Sequence, residues 1–174
     1  MSRVPAVAVV GYKNTGKTTL VARLVAAFQQ EGCRVGTCKH DGGHDFEYDR
    51  PGTDSQQHRE AGAAVTLLAS RTKAVLGMFY GEQGQPEPEL ETWLDLLSAP
   101  EHGLDLILVE GWKRSDLPKI VLLGPEKIER ITNVLAYAAD CKGSSIADDG
   151  RQVYDREDID SFVQLIKEQV LGKR

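Results

Sequence analysis

The chain has 174 residues, 41 % of them hydrophobic, which suits one domain with a full core. A formal charge of −5 lacks the basic footprint that general nucleic-acid binding needs. Three scattered cysteines, Cys33, Cys38 and Cys141, make neither a disulfide framework nor a C-x-x-C metal knuckle, and no apolar run approaches the ~20 residues that span a bilayer. A cytoplasmic protein with reduced thiols, no membrane segment and no nucleic-acid partner is the expectation.

An apolar run, Val7 to Val10, leads into Gly11-x-x-x-x-Gly16-Lys17-Thr18, the phosphate-binding loop pattern. Gly11 and Gly16 let the backbone curl with its N–H groups turned toward an anion, and a helix starting near Gly16 adds the positive end of its dipole. Lys17 is expected at the β- and γ-phosphates, and the Thr18 hydroxyl in the Mg²⁺ shell. Lys13, Asn14, Thr15 and Thr19 complete the nucleotide-binding stretch.

Residues 17 to 31 predict the first helix, with Leu20, Val21, Leu24, Val25 and Phe28 as its buried stripe and Gly32 past its end. Cys33 to Cys38 reads as the second strand. Strand, helix and strand make a βαβ unit, so a parallel sheet is the default. The fold expected is α/β: one three-layer P-loop domain with a mostly parallel central sheet and helices on both faces.

Residues 39 to 60 hold three of the four histidines, His40, His44 and His58, beside Lys39, Asp45 and Asp54. Gly42, Gly43, Pro51 and Gly52 keep the first part irregular, and a helix over 54–61 is capped by Asp54 or Ser55. The segment begins where a strand ends, which is where ligands bind in open α/β sheets. Three roles stay open for it: a switch ordered by Mg²⁺ and γ-phosphate, a second-substrate site, or a metal site of its own using His40, His44, Asp45 and His58. Lys39 is placed to neutralise developing charge. Asp45 and Asp54 are both candidates for a Mg²⁺ contact or for orienting water, and the sequence does not choose between them.

Ala61 to Ala69 and Lys73 to Tyr80 read as two strands, perhaps a hairpin, and 81 to 88 as a polar surface loop. A core strand is favoured over an exposed surface for Met78, Phe79 and Tyr80. Glu89 to Leu97 is an amphipathic helix on Leu90, Trp93, Leu94 and Leu97. Leu104 to Gly111 is a buried parallel strand ending in Glu110, the acid that P-loop enzymes need at a neighbouring strand end for Mg²⁺. Asp105 begins that strand, at the wrong end for phosphates, and is structural. Lys119 to Leu123 and Val134 to Ala139 are further strands. The chain closes with a helix from Arg156 to Leu171, capped by Asp155. Classical G-proteins read guanine with Asn/Thr-Lys-x-Asp after a strand. That tetrapeptide is absent, but Asp140 follows the Val134–Ala139 strand, where it serves either as the acceptor for guanine N1–H and N2–H or as part of a plain turn.

The run Gly11 to Thr19, Lys39-His40 with His44-Asp45-Phe46, Asp49-x-Pro-Gly-x-Asp-Ser, Ala61-Gly62-Ala63, Val109-Glu110-Gly111-Trp112-Lys113 and Pro118-Lys119-Ile120 together resemble the MobB family of molybdopterin-guanine dinucleotide biosynthesis adaptors. The resemblance covers nearly the whole chain. It implies a SIMIBI-type P-loop GTPase that binds Mg²⁺ and GTP, hydrolyses slowly and forms a homodimer. It also implies a MobA-type guanylyltransferase as partner and molybdopterin within reach. MinD-like relatives carry a signature Lys directly after the first loop glycine, where this chain has Tyr12. A small-molecule kinase and a metallochaperone-type GTPase using the His/Asp segment are the alternatives.

Overall fold

The elements in chain order are β1 (Ala6–Gly11), α1 (Lys17–Gln30), β2 (Val35–Lys39), α2 (Asp54–Glu60), β3 (Val65–Ala69), β4 (Ala74–Met78), α3 (Leu90–Leu97), β5 (Leu106–Glu110), β6 (Lys119–Leu122), β7 (Val134–Ala139), β8 (Ser145–Ile146), β9 (Gln152–Asp155) and α4 (Ile159–Ile166). A computed structural model describes residues 3–40, 50–80, 86–125, 131–141 and 145–172. Residues 1–40 and 90–174 form one unit, and residues 41–89 form another.

The first unit is built on a seven-stranded sheet of order β2-β5-β1-β6-β7-β9-β8. All its pairings are parallel except β8 with β9. β1 lies inside the sheet, and all six of its residues are buried, as its uninterrupted apolar run requires. Strand alternation splits them between two layers. Val7 and Val9 join Leu20, Leu24 and Phe28 of α1 and Phe162 and Ile166 of α4. Ala6, Ala8 and Val10 join Leu90 and Leu94 of α3. The sheet is therefore mostly parallel, with helices on both faces.

Several boundaries differ from the sequence reading for identifiable reasons. Cys33 is not in the second strand. Its N–H donates to Phe28 O at 3.0 Å and that of Gly32 to Gln29 O at 3.0 Å, so both residues close α1, with Gly32 at φ 84. β2 begins two residues later. Thr53, not Asp54 or Ser55, caps α2, its hydroxyl accepting from Gln56 N. The closing helix starts at Ile159 with Asp158 as its cap, accepting from Ser161 N at 3.2 Å. Asp155 instead ends β9, a strand absent from the sequence reading and paired with β7. Four residues with one buried side chain, Val153, leave too short an alternation to recognise. The helix then finishes in a π-helical turn, Lys167–Leu171. Asp105 is structural as expected, its Oδ2 accepting from Arg34 N at 2.8 Å.

In the second unit, β3 and β4 pair antiparallel from Val65↔Met78 to Ala69↔Ala74, joined by a turn in which Ser70 N donates to Lys73 O at 2.8 Å. The hairpin matches the sequence reading, but the core strand expected for Met78, Phe79 and Tyr80 does not: Met78 is exposed, and Phe79 and Tyr80 follow β4 half-buried. Val65, Leu67, Leu68, Val75, Leu76 and Met78 are exposed, because a two-stranded ribbon has too few layers to cover both faces.

Candidate functional site

The C-terminal ends of β1, β5 and β2 meet at one edge of the sheet. Val9 of β1 lies opposite Glu110 of β5, and Glu110 opposite Lys39 of β2. The loop from Gly11 to Gly16 leaves β1 at this edge and turns into α1. Its shape fixes the residues it accepts. A Cβ on Gly11 would stand 2.8 Å from Thr15 Oγ1 and 2.9 Å from the Leu122 carbonyl oxygen, so only glycine fits. Gly16 sits at φ 90 and Asn14 at φ 61, both in the left-handed region that these two residue types tolerate. Thr15 is buried, and its hydroxyl donates to the Tyr12 carbonyl at 2.9 Å, tying the loop across its base. Lys13 and Asn14 are exposed on the loop, and Thr19 on the first turn of α1.

Lys17 folds back over this loop, donating from Nζ to the Tyr12 carbonyl at 2.6 Å. Desolvation holds its pKa below the ordinary lysine value. Glu110 opposes that shift, while Lys113 and Lys39 add to it. The Thr18 hydroxyl donates to Glu110 Oε1 at 2.8 Å, and Lys39 Nζ is 3.5 Å from the same oxygen. Glu110 is buried, so its carboxylate depends on these partners. Loop, lysine, threonine and strand-end acid are thus brought together as the sequence predicts. Two hard oxygen donors side by side suit Mg²⁺, which takes few protein ligands and completes its shell with water and phosphate oxygens.

Gly111, Trp112, Lys113 and Arg156 were not assigned site roles from sequence. Gly111 turns the chain out of β5 at φ 104, and Trp112 follows at φ 51. The Trp112 ring packs on His40, with centroids 4.8 Å apart, and the His40 N–H donates to the Glu110 carbonyl at 3.2 Å. Lys113 Nζ lies 4.4 Å from the centroid of the Tyr12 ring, a cation–π contact over the loop. Arg156 reaches the loop from the end of β9, donating from Nη1 to the Thr15 carbonyl at 3.2 Å. A strand recognised at Gln152–Asp155 would have put Arg156 at the ligand edge.

Asp140 lies at the same edge, directly after β7 and exposed. Asp54 is the first residue of α2, in the second unit. Asp45 and His44 lie outside the described residues, as do Phe46 and residues 81–85. Among the described residues no group of three or more His, Cys, Asp and Glu is placed to hold a metal, and no helix is long and apolar enough to cross a membrane.

Comparison with known proteins bears on the family and the fold. The sequence model described as "Molybdopterin guanine dinucleotide synthesis protein B" matches residues 6–140. The chain is 37 % identical over 143 residues to the molybdopterin-guanine dinucleotide biosynthesis adapter protein of Escherichia coli, covering 79 % of each chain. It is 30 % identical over 158 residues to the probable adapter protein of Bacillus subtilis, covering 88 % of this chain and 87 % of that one. The crystal structure of Bacillus subtilis MobB superposes with a TM-score of 0.77 at 28 % identity, over 97 % of this chain and 99 % of the other. The fold, the matched span and the identity to these relatives together place the chain in the MobB family.

Proposed function

We propose that this protein binds a Mg²⁺–nucleoside triphosphate, GTP, at the loop from Gly11 to Thr19, hydrolyses it slowly, and acts as an adapter in molybdopterin guanine dinucleotide biosynthesis. The observation that carries the nucleotide reading is the Thr18–Glu110 hydrogen bond beside Lys17 at the mouth of a glycine-shaped loop. That combination brings a phosphate cradle, a cation and two metal-seeking oxygens to one strand edge. Thr18 and Glu110 would hold Mg²⁺, which supplies charge neutralisation at the phosphates. Lys17 exchanges its Tyr12 carbonyl for phosphate oxygens. Lys39, already paired to Glu110, adds positive charge on the same side. Slow turnover follows from the absence of an obvious glutamine or arginine finger in the sequence.

The adapter reading rests on family membership and on the names that the relatives carry. Its expected partner is a MobA-type guanylyltransferase, with molybdopterin within reach. The exposed apolar side chains of β3 and β4 support a homodimer. Light scattering on the purified protein gives its mass in solution, and a monomer at micromolar concentration would remove the dimer. Single-turnover hydrolysis by the protein alone tests the rate. A fast turnover, above about 1 s⁻¹, the range of efficient kinases, would contradict the accessory role.

A further inference from the structure

The sheet continues beyond the phosphate loop in a direction that the phosphate chemistry does not use. Glu110 and Lys39 lie on one side of β1, at the ends of β5 and β2. A nucleotide whose γ-phosphate and metal end faced that side would extend its nucleoside the other way, over the ends of β6, β7 and β9. Register places those ends level. Gly11 pairs with Leu122, Leu122 with Ala138, and Ala139 with Asp155. Asp140 and Arg156 are the residues that follow β7 and β9, and Arg156 N donates to Ala139 O at 2.9 Å.

Their side chains meet. Arg156 Nε is 2.5 Å from Asp140 Oδ1, off the N–H axis, so the contact is an ion pair and not an aligned hydrogen bond. The Asp140 side chain is 79 % exposed and that of Arg156 26 %. Such a solvated pair adds little to folding stability. Arg156 also holds the phosphate loop through Thr15 O. The pair thus joins the loop to an open carboxylate about two strand spacings, or roughly 10 Å, from β1.

We propose that Asp140 and Arg156 together read guanine, with the guanidinium supplied from the end of β9. The proposal rests on the nucleotide reading above. Guanine presents one acceptor, O6, beside two donors, N1–H and N2–H. A carboxylate accepts from both donors, and an adjacent guanidinium donates to O6. Adenine presents an amino donor where guanine has O6 and a bare N1 acceptor where guanine has N1–H, so the guanidinium and the carboxylate both face the wrong group, which a hydrogen-bonding site penalises strongly. Asn/Thr-Lys-x-Asp is absent here, and the cation beside Asp140 comes from another strand.

The test is equilibrium binding of GTP, ATP, xanthosine triphosphate and inorganic tripolyphosphate, all with Mg²⁺, to the wild-type chain and to D140N, R156A and R156K. Wild type is expected to favour GTP over ATP by at least about tenfold. Xanthine carries an oxygen where guanine carries its amino group, so the amide of D140N is expected to reverse the GTP-to-xanthosine triphosphate preference. R156A is expected to lower GTP affinity about tenfold relative to tripolyphosphate, with R156K recovering part of it. Asp140 is exposed, so D140N keeps the fold and the xanthosine arm stands even if R156A does not fold. Wild type that binds GTP and ATP equally, or D140N that still prefers GTP, overturns the base-reading pair and leaves the phosphate site standing. Wild type that binds neither nucleotide nor tripolyphosphate overturns the nucleotide reading itself.

Discussion

Glu110→Gln separates the role of the strand-end carboxylate in holding the fold from its role toward a metal. The substitution keeps shape and removes charge. Lys39 Nζ lies 3.5 Å from Glu110 Oε1, where Coulomb's law at an effective dielectric of 20 gives about 5 kcal/mol. The Lys39 side chain is 55 % exposed, so solvent reduces that to the range of a surface pair, about 0.5–1 kcal/mol. The Thr18 hydroxyl still donates, now to the amide oxygen. Loss of the buried charge also removes its desolvation cost. The net effect on stability is therefore within about 1 kcal/mol, or a Tm change of about 2–4 °C. The metal has no such compensation, since a neutral amide is a weaker Mg²⁺ partner than a carboxylate. The Mg²⁺-dependent part of nucleotide affinity is expected to fall about 10- to 100-fold. Fluorescent GTP titrated with and without Mg²⁺, beside a thermal melt, measures both. A variant with wild-type Mg²⁺ dependence, or one destabilised by more than about 3 kcal/mol, would show that Glu110 serves the fold and not the metal.

Gly11→Ala places a methyl group 2.8 Å from Thr15 Oγ1 and 2.9 Å from Leu122 O. It should cost about 1–3 kcal/mol by denaturant titration and abolish detectable GTP binding. Lys119 is fully buried and donates to the carbonyls of Ser115, Leu117 and Thr132, pinning the chain on either side of β6. Lys119→Met leaves those carbonyls unpaired and should cost about 3–5 kcal/mol, a Tm loss of about 10 °C by calorimetry. Burial pushes the Cys38 thiol up to about 11. Its thiolate, the reactive form, is therefore scarce at pH 8, and peptide mapping after iodoacetamide treatment should find Cys38 unmodified in the folded protein and alkylated in urea. The folded state keeps this proton where the unfolded one loses it, so the contribution is present at neutral pH and is lost as pH rises through about 11.

The sequence reading was strongest where one residue type had to occupy one place. Gly11, Gly16, Lys17 and Thr18 form a loop in which a side chain at Gly11 would collide with Thr15 and Leu122 and Gly16 takes φ 90, and Glu110 ends a strand that is buried throughout. Periodicity found α1 because its stripe from Leu20 to Phe28 runs over about two turns, and β5 because nothing polar interrupts it. It missed β9, where one buried valine in four residues carries no pattern, and so made Asp155 a helix cap and began the helix at Arg156. That error hid Arg156 from the ligand edge, since its place depends on pairing with β7, a contact remote in sequence. Met78 was read into a core strand because apolar strands look alike whether or not a layer covers them. Lys113 and Trp112 were quoted only as family markers. Their positions depend on the left-handed turn at Gly111 and Trp112, which local sequence does not signal.

The most direct measurement of the central claim is calorimetric titration of the wild-type chain with GTP and with ATP, each with and without Mg²⁺. Tighter binding of GTP that depends on Mg²⁺ is the expected result. Absence of binding to either nucleotide, or GTP binding that does not change on chelation of Mg²⁺, would contradict a site built from Lys17, Thr18 and Glu110.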